Sequence, residues 1–329
     1  MDEFINPLIL TDYLNYLKSI KGLSASTIKE YSYDLENFII YQIIRKKYFS
    51  NTKSFEDKFD PHKINDVCDN KFFENINIQD FYAYLSFLDN YKNDSATTRS
   101  RKISALKSFY KYMYSEVEII NVNVTDKLVN PKISQRQPVY LTLSETEKLL
   151  EAVNSEKNKF LRSRDLAIVF TFLTTGMRLS ELVSIDLSDV NKDSFNIIGK
   201  GNKERTVYLT SNCQALIDSY IVIRDDYLRD VRVDALFIST RKKRISNRAV
   251  QSTIEKYLRK AGFDTDIYST HKLRHTAATL MYKYGDVDIR ALKDVLGHSS
   301  VSTTQIYTHL DDEDLKKAIN KNPLSDMEF

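Results

Sequence analysis

Residues 271–285 read HKLRHTAATLMYKYG. The stretch predicts a helix over His271–Tyr284 that Gly285 ends, since glycine accepts the backbone turn at a helix terminus. His271 and Arg274 stand three residues apart, so that helix sets both on one face. Helical signals recur on either side. Asp288–Leu296 reads as a helix closed by Gly297, and Ser246 caps one closed by Gly262. Further upstream, TLSETEKLLEAV (142–153) opens with a capping signature, and helices follow at Arg164–Thr174 and Arg178–Leu182. The exception is IIGKGNKERTVYL (197–209). There Ser194–Ile198 and Glu204–Leu209 flank a Gly-Lys-Gly-Asn turn, the strongest hairpin signal in the chain. The expectation is a mostly helical domain over 139–329 with one small antiparallel sheet.

The chain has only seven glycines, six of them between Gly176 and Gly297, so each reads as a turn or a helix end. Pro131 and Pro138 flank the polar KISQRQ, which reads as an exposed linker over 131–138 between two domains. Before it, residues 1–130 are helical in pattern. Leu10, Tyr13, Leu14 and Leu17 form one apolar stripe, closed by Gly22. Ser24 or Ser26 caps a second helix, with Ile28, Tyr31, Leu35, Phe38 and Ile39 at helical spacing. Further helices are expected at Gln79–Leu88 and Thr97–Tyr114. The latter turns Ile103, Leu106, Phe109, Tyr110 and Met113 inward and leaves Arg99, Arg101, Lys102, Lys107 and Lys111 nearer solvent. Arg45–Asn75 is polar and irregular and reads as an insertion with one short helix.

The chain of 329 residues is 42% hydrophobic and 28% charged, which fits a globular protein of two unequal domains. Its net charge of +3 does not itself argue for a nucleic-acid partner, although balanced totals can hide basic faces. Cys68 and Cys213 form no metal or redox motif, a usage that fits a reducing cytosol. No basic segment followed by an apolar run opens the chain, and no stretch is apolar for the roughly 18 residues of a membrane span. A cytoplasmic protein without membrane contact is expected.

A set of scattered residues carries the chemistry: Arg178, Lys200, His271, Arg274, His298 and Tyr307. Attack on a DNA phosphodiester places extra negative charge on the non-bridging oxygens. Arg178 and Arg274 suit it, because guanidinium groups stay charged and donate in pairs to two oxygens. A neutral His271 can accept the proton of the attacking hydroxyl. Lys200, between Gly199 and Gly201, can reach the departing 5′ oxygen as general acid. His298 can donate to a non-bridging oxygen, and Tyr307 is the candidate nucleophile. A tyrosyl phosphodiester conserves the energy of the broken bond, so a free 5′-hydroxyl can reverse the step. Such covalent catalysis calls for no cofactor.

In order and wording these motifs resemble the tyrosine recombinase (integrase) family, and within it the Xer-type members. The motifs are TGMRLSELVSIDLSDV (175–190), IIGKGNKERTVYL, HKLRHTAATLMYKYG, IRALKDVLGHSS (289–300) and STTQIYTHL (302–310). The likeness covers Leu141–Leu310 and extends more weakly into LSASTIKEYSYDLENF (23–38) and SATTRSRKISALKSFYKYM (95–113). It implies an N-terminal helical core-binding (SAM-like) domain and a catalytic domain that clamp double-stranded DNA at short core sites. It also implies a homotetramer, a dimer on each site, that exchanges strands through a Holliday junction. The resemblance also admits a second recombinase or a DNA translocase as a further partner. Glu181 matches an acidic position that supports the family's active site. The tail DDEDLKKAINKNPL (311–324) resembles a segment that docks into a neighbouring protomer. Two features depart from the pattern: the Arg45–Asn75 stretch is long, and no separate arm-binding domain precedes the first helix.

Each residue also has a plainer reading. Tyr307 is one of 21 tyrosines, Arg178 can be an ion-pair partner of Glu181, and Lys200 can be an ordinary turn lysine. His271 and His275, with His298 and His309, could bind zinc, but Lys272 and Arg274 would repel the cation, so no metal is expected. Arg241, Lys242, Lys243 and Arg244, with Arg248 in the next helix, form a basic run that is either solvated or in contact with phosphates. Arg99, Arg101 and Lys102 read likewise. Two other classes compete with a recombinase: a monomeric type IB topoisomerase of the same chemistry, and a relative that only binds DNA.

Overall fold

The computed structural model describes residues 6–46, 67–132, 139–198, 204–285, 287–297 and 304. The chain divides into two compact units, Met1–Gln135 and Arg136–Phe329. Its architecture is mainly α with a two-stranded antiparallel sheet.

In the first unit the helices are α1 (Leu8–Ser19), α2 (Ala25–Arg45), α3 (Asn70–Glu74), α4 (Ile78–Asn90) and α5 (Ala96–Ser115). Polar caps set their starts. Ser24, Asp69, Asn77 and Ser95 each accept an amide N–H of the first turn, and Asp80 returns the bond to the Asn77 N–H. Each such cap is worth about 1 kcal/mol. The core is aromatic. Phe38 stacks on Phe81 with ring centroids 5.0 Å apart, and Tyr13 meets Phe109 at 5.1 Å. The short helix expected within Arg45–Asn75 is α3; residues 47–66 of that stretch lie outside the described residues.

Lys102 departs from expectation. It is only 8% exposed, with Nζ 2.7 Å from Asp94, and was expected nearer solvent. Arg101 pairs with the buried Asp34 of α2, and Arg99 with Asp89. Helical spacing shows which side of α5 faces its core. It does not show that a carboxylate 67 residues earlier is buried beside Arg101 and needs a cation.

The second unit holds α6 (Leu143–Asn154), α7 (Lys159–Thr175), α8 (Leu179–Ser184), β1 (Ser194–Ile198), β2 (Glu204–Tyr208), α9 (Ser211–Leu228), α10 (Asn247–Lys260), α11 (Thr270–Tyr284) and α12 (Ile289–Leu296). β1 and β2 pair antiparallel, Ser194 opposite Tyr208 and Ile198 opposite Glu204. Helix α7 starts five residues before the expected Arg164, because Asn158 caps it by accepting the Leu161 N–H. Leu173, Leu182, Val183, Leu292 and Leu296 are buried, as expected of core residues.

Helix α9 has no counterpart in the sequence reading. It packs on α7, and Cys213, Ile217, Tyr220, Arg224 and Leu228 form its buried stripe. A charged residue inside that stripe obscures the pattern. Arg224 is buried because it serves backbone oxygens: Nε donates to Leu236 at 3.0 Å and Nη2 to Ala235 at 2.8 Å. A second buried network joins α7 to α10. Asp165 accepts from Arg164 Nε at 2.7 Å and from the Tyr257 hydroxyl at 2.9 Å. Among the described residues no helix is long and apolar enough to cross a membrane.

Candidate active site

Helix α7 ends at Gly176 in a left-handed conformation, with φ +61°. The chain then runs straight into α8, whose N-cap is Arg178 in extended conformation. Glu181, one turn later, holds Arg178 twice. Its Oε2 accepts the Arg178 N–H at 2.7 Å and its Oε1 accepts Nη1 at 2.8 Å. Burial alone would raise the Glu181 pKa, yet the amide and guanidinium of Arg178 and the charge of Arg205 outweigh it and hold the group ionised below its usual range. The plain reading of Arg178 as an ion-pair partner of Glu181 is therefore correct as geometry. It does not exclude the other role, since the Arg178 side chain keeps 34% of its exposure.

Arg274 lies on α11 and is 5% exposed. Its guanidinium is fixed by two carbonyls, Gly176 at 2.5 Å and Leu296 at 2.7 Å. His271, one turn earlier, is exposed to solvent and only in part desolvated by its neighbours. Burial, together with the nearby Arg274 and Lys272, lowers its pKa from the ordinary 6.5. The imidazole is thus neutral near neutral pH and can accept a proton. His275 follows on the same helix with its ring edge-on to that of His271, centroids 4.7 Å apart.

Arg178, His271 and Arg274 meet at one cavity of about 370 Å³. Gln251 and Thr270 add polar groups to its wall, and Phe172, Met177 and Leu179 close the apolar side. Gln251 and Thr270 escaped the sequence reading, because a single glutamine or threonine in a helix or at its start carries no signal of its own. Arg205 escaped it too, although it sits on β2 in the basic wording that follows the turn. Lys200, His298 and Tyr307 lie outside the described residues. Thr304, three residues before Tyr307, is fully buried.

The basic run divides. Arg241, Lys243, Arg244 and Arg248 are exposed, Arg244 while held by neighbours. Arg244 donates to the Val183 carbonyl at 2.8 Å and pairs with Asp186, and Lys242 sits 5.6 Å from the Tyr227 ring centre. Among the described residues no group of three or more His, Cys, Asp or Glu side chains is placed to hold a metal ion.

Two guanidinium groups and an imidazole around one cavity, in a mainly helical unit, suit a class of enzymes that handle a phosphodiester by charge stabilisation and proton transfer. Comparison narrows it. The chain belongs to the phage integrase family, whose profile matches residues 139–314. It is 45% identical to tyrosine recombinase XerC of Caldanaerobacter subterraneus subsp. tengcongensis, over 99% of this chain and 89% of that protein. The fold is similar to that of XerH site-specific recombinase bound to difH substrate in a pre-cleavage complex. There the TM-score is 0.67 at 22% identity, covering 97% of this chain and 98% of that one. It is also similar to lambda integrase in a tetramer bound to a Holliday junction, with TM-score 0.62 at 18% identity over 92% and 78% of the two chains. The protein is a site-specific DNA recombinase of the tyrosine type, an enzyme that breaks and rejoins DNA strands.

Proposed function

We propose that the cavity receives the scissile phosphodiester and that Arg178 and Arg274 clamp its non-bridging oxygens. The observation that carries this reading is the convergence of both guanidinium groups and His271 on one cavity from α8 and α11. Arg274 is pre-set by two backbone carbonyls, so little reorganisation is needed when charge develops. His271, kept neutral by its surroundings, takes the proton of the attacking hydroxyl. In the same reading Tyr307 attacks phosphorus and forms the 3′-phosphotyrosyl bond, Lys200 protonates the leaving 5′ oxygen, and His298 donates to a non-bridging oxygen.

The first unit serves as the core-DNA-binding domain and the second as the catalytic domain, in line with the Xer recombinases to which the chain is similar. Arg241, Lys243 and Arg248 contact phosphates through exposed side chains. Arg99, Arg101, Lys242 and Arg244 do so from positions already braced by neighbours, which lowers the entropy lost on binding, whereas Lys102 is buried against Asp94 and holds that carboxylate. Four copies act on two short sites in the cytoplasm, a dimer on each; lambda integrase, similar in fold, is seen as a tetramer bound to a Holliday junction. Resolution of chromosome or plasmid dimers and integration of a mobile element need the same chemistry, with a second recombinase or a translocase as further partners.

Covalent trapping on nicked duplexes drawn from the source genome tests the reading. The expected result is a protein–DNA band on a denaturing gel that disappears in Tyr307→Phe. A band that persists in the mutant refutes the nucleophile. No band at all, despite salt-sensitive DNA binding, favours a relative that only binds DNA.

A further inference from the structure

Three consecutive carbonyls at the end of α12 each accept from a different arginine. Arg205 Nη1 reaches Val295 at 2.7 Å, Arg274 Nη2 reaches Leu296 at 2.7 Å and Arg178 Nη2 reaches Gly297 at 2.7 Å. The last carbonyls of a helix lack intrahelical partners and carry partial negative charge, so guanidinium donors satisfy both needs. Two of the three arginines form the proposed phosphate clamp. Arg205 is the third, and neither the cavity wall nor the mechanism above uses it.

Its other donor explains its place. Arg205 Nη2 lies 3.0 Å from Glu181 Oε2, the same oxygen that accepts the Arg178 N–H. One guanidinium therefore ties β2 to the start of α8 and to the end of α12. The approach is close. A Cβ on Gly297 would stand 2.8 Å from Arg205 Nη1 and 2.9 Å from Cζ, so a side chain there would displace the guanidinium, and the φ of +64° itself favours glycine. In the chain Arg205 follows Lys200 by five residues, and Gly297 immediately precedes His298.

The geometry points to Arg205 as a positioning residue for strand cleavage: its forked guanidinium sets Glu181, and through it Arg178, against the end of α12. The inference rests on the reading of Arg178 and Arg274 as the phosphate clamp. A planar fork suits this role because it spans two acceptors on different elements, which an ammonium point charge does not do. The competing view is that Arg205 only adds stability.

Single-turnover cleavage and equilibrium binding of the trapped duplex separate the two views, measured on wild type, Arg205→Ala, Arg205→Lys, Glu181→Gln and the Arg205→Ala/Glu181→Gln pair. Positioning predicts that Arg205→Ala cleaves about 10- to 100-fold more slowly, the range that a small misplacement of a catalytic group costs. DNA affinity stays within about twofold, as for a change remote from the DNA. The pair should cleave no more slowly than its slower single variant, since both changes break one linkage. Arg205→Lys keeps the charge and the fold and should remain slow, so it carries the test if Arg205→Ala does not fold. Wild-type cleavage by Arg205→Ala overturns the proposal, as does full rescue by Arg205→Lys or a loss of rate matched by an equal loss of affinity. If wild type traps no DNA, the clamp reading falls and the inference falls with it. That result differs from the others because every variant is then silent.

Discussion

Replacing Gly176 by alanine perturbs the fold and the site through one added carbon. The residue has φ +61°, where an L side chain costs about 1–2 kcal/mol. The new Cβ would also stand 2.8 Å from Leu296 Cδ2 and 3.4 Å from Ala277 Cβ. Leu296 and Ala277 are both fully buried, so neither can turn away freely, and overpacking of this kind costs about 1–3 kcal/mol. The total is about 2–5 kcal/mol, which for a unit of this size lowers the melting temperature by about 4–20 °C. Gly262→Ala is the internal control. It has φ +84° in the same unit with nothing within 4 Å of the added carbon, so only the backbone cost applies. Calorimetry of the full chain should show the unit with Gly176→Ala melting below the same unit with Gly262→Ala. Equal melting of the two variants would refute the packing contribution, and a wild-type melting temperature for Gly176→Ala would refute the whole estimate. Because the Gly176 carbonyl anchors Arg274, the variant should also lose cleavage activity beyond what its unfolded fraction explains.

Arg164→Met leaves Asp165 buried with the Tyr257 hydroxyl as its remaining hydrogen-bond donor among the described residues, and should cost about 3 kcal/mol or more in urea unfolding. A loss under about 1 kcal/mol would show that the pair contributes little. Lys256 and the Asn158 amide lower the Glu156 pKa to about 2, so their stabilisation is complete above the ordinary carboxylate range and fades as pH falls toward 2. The stability gap between wild type and Lys256→Met should therefore shrink across that window, and a gap independent of pH would contradict the assignment. Burial pushes the Cys68 thiol up to about 12 and raises that of Cys213, so neither should react with a thiol reagent at pH 8 until denaturant is added. Rapid native labelling of either would refute their burial.

Most of the helices were legible because their signals are local. A serine, aspartate or asparagine at a helix start, apolar residues at helical spacing and a glycine after the last turn all act within a few residues, as do the strands around the Gly-Lys-Gly-Asn turn. The pairing of His271 with Arg274 is equally local, since one helical turn dictates it. The motif order that resembles the integrase family is also a property of the sequence by itself. Tertiary structure decided the rest. Helix α9 stayed hidden because Arg224 interrupts its apolar stripe, and only the fold brings the carbonyls of residues 235 and 236 to satisfy that charge. Arg101 read as solvent-facing until α2 placed the buried Asp34 against it, and Lys102 until the chain before α5 brought Asp94 to its Nζ. Arg178 and Arg274 lie 96 positions apart, and no local rule joins them; they meet because the end of α12 offers each a free carbonyl. Arg205 gains its place in the same way. Unsatisfied backbone oxygens at a helix terminus must find donors, and only packing determines which side chains arrive.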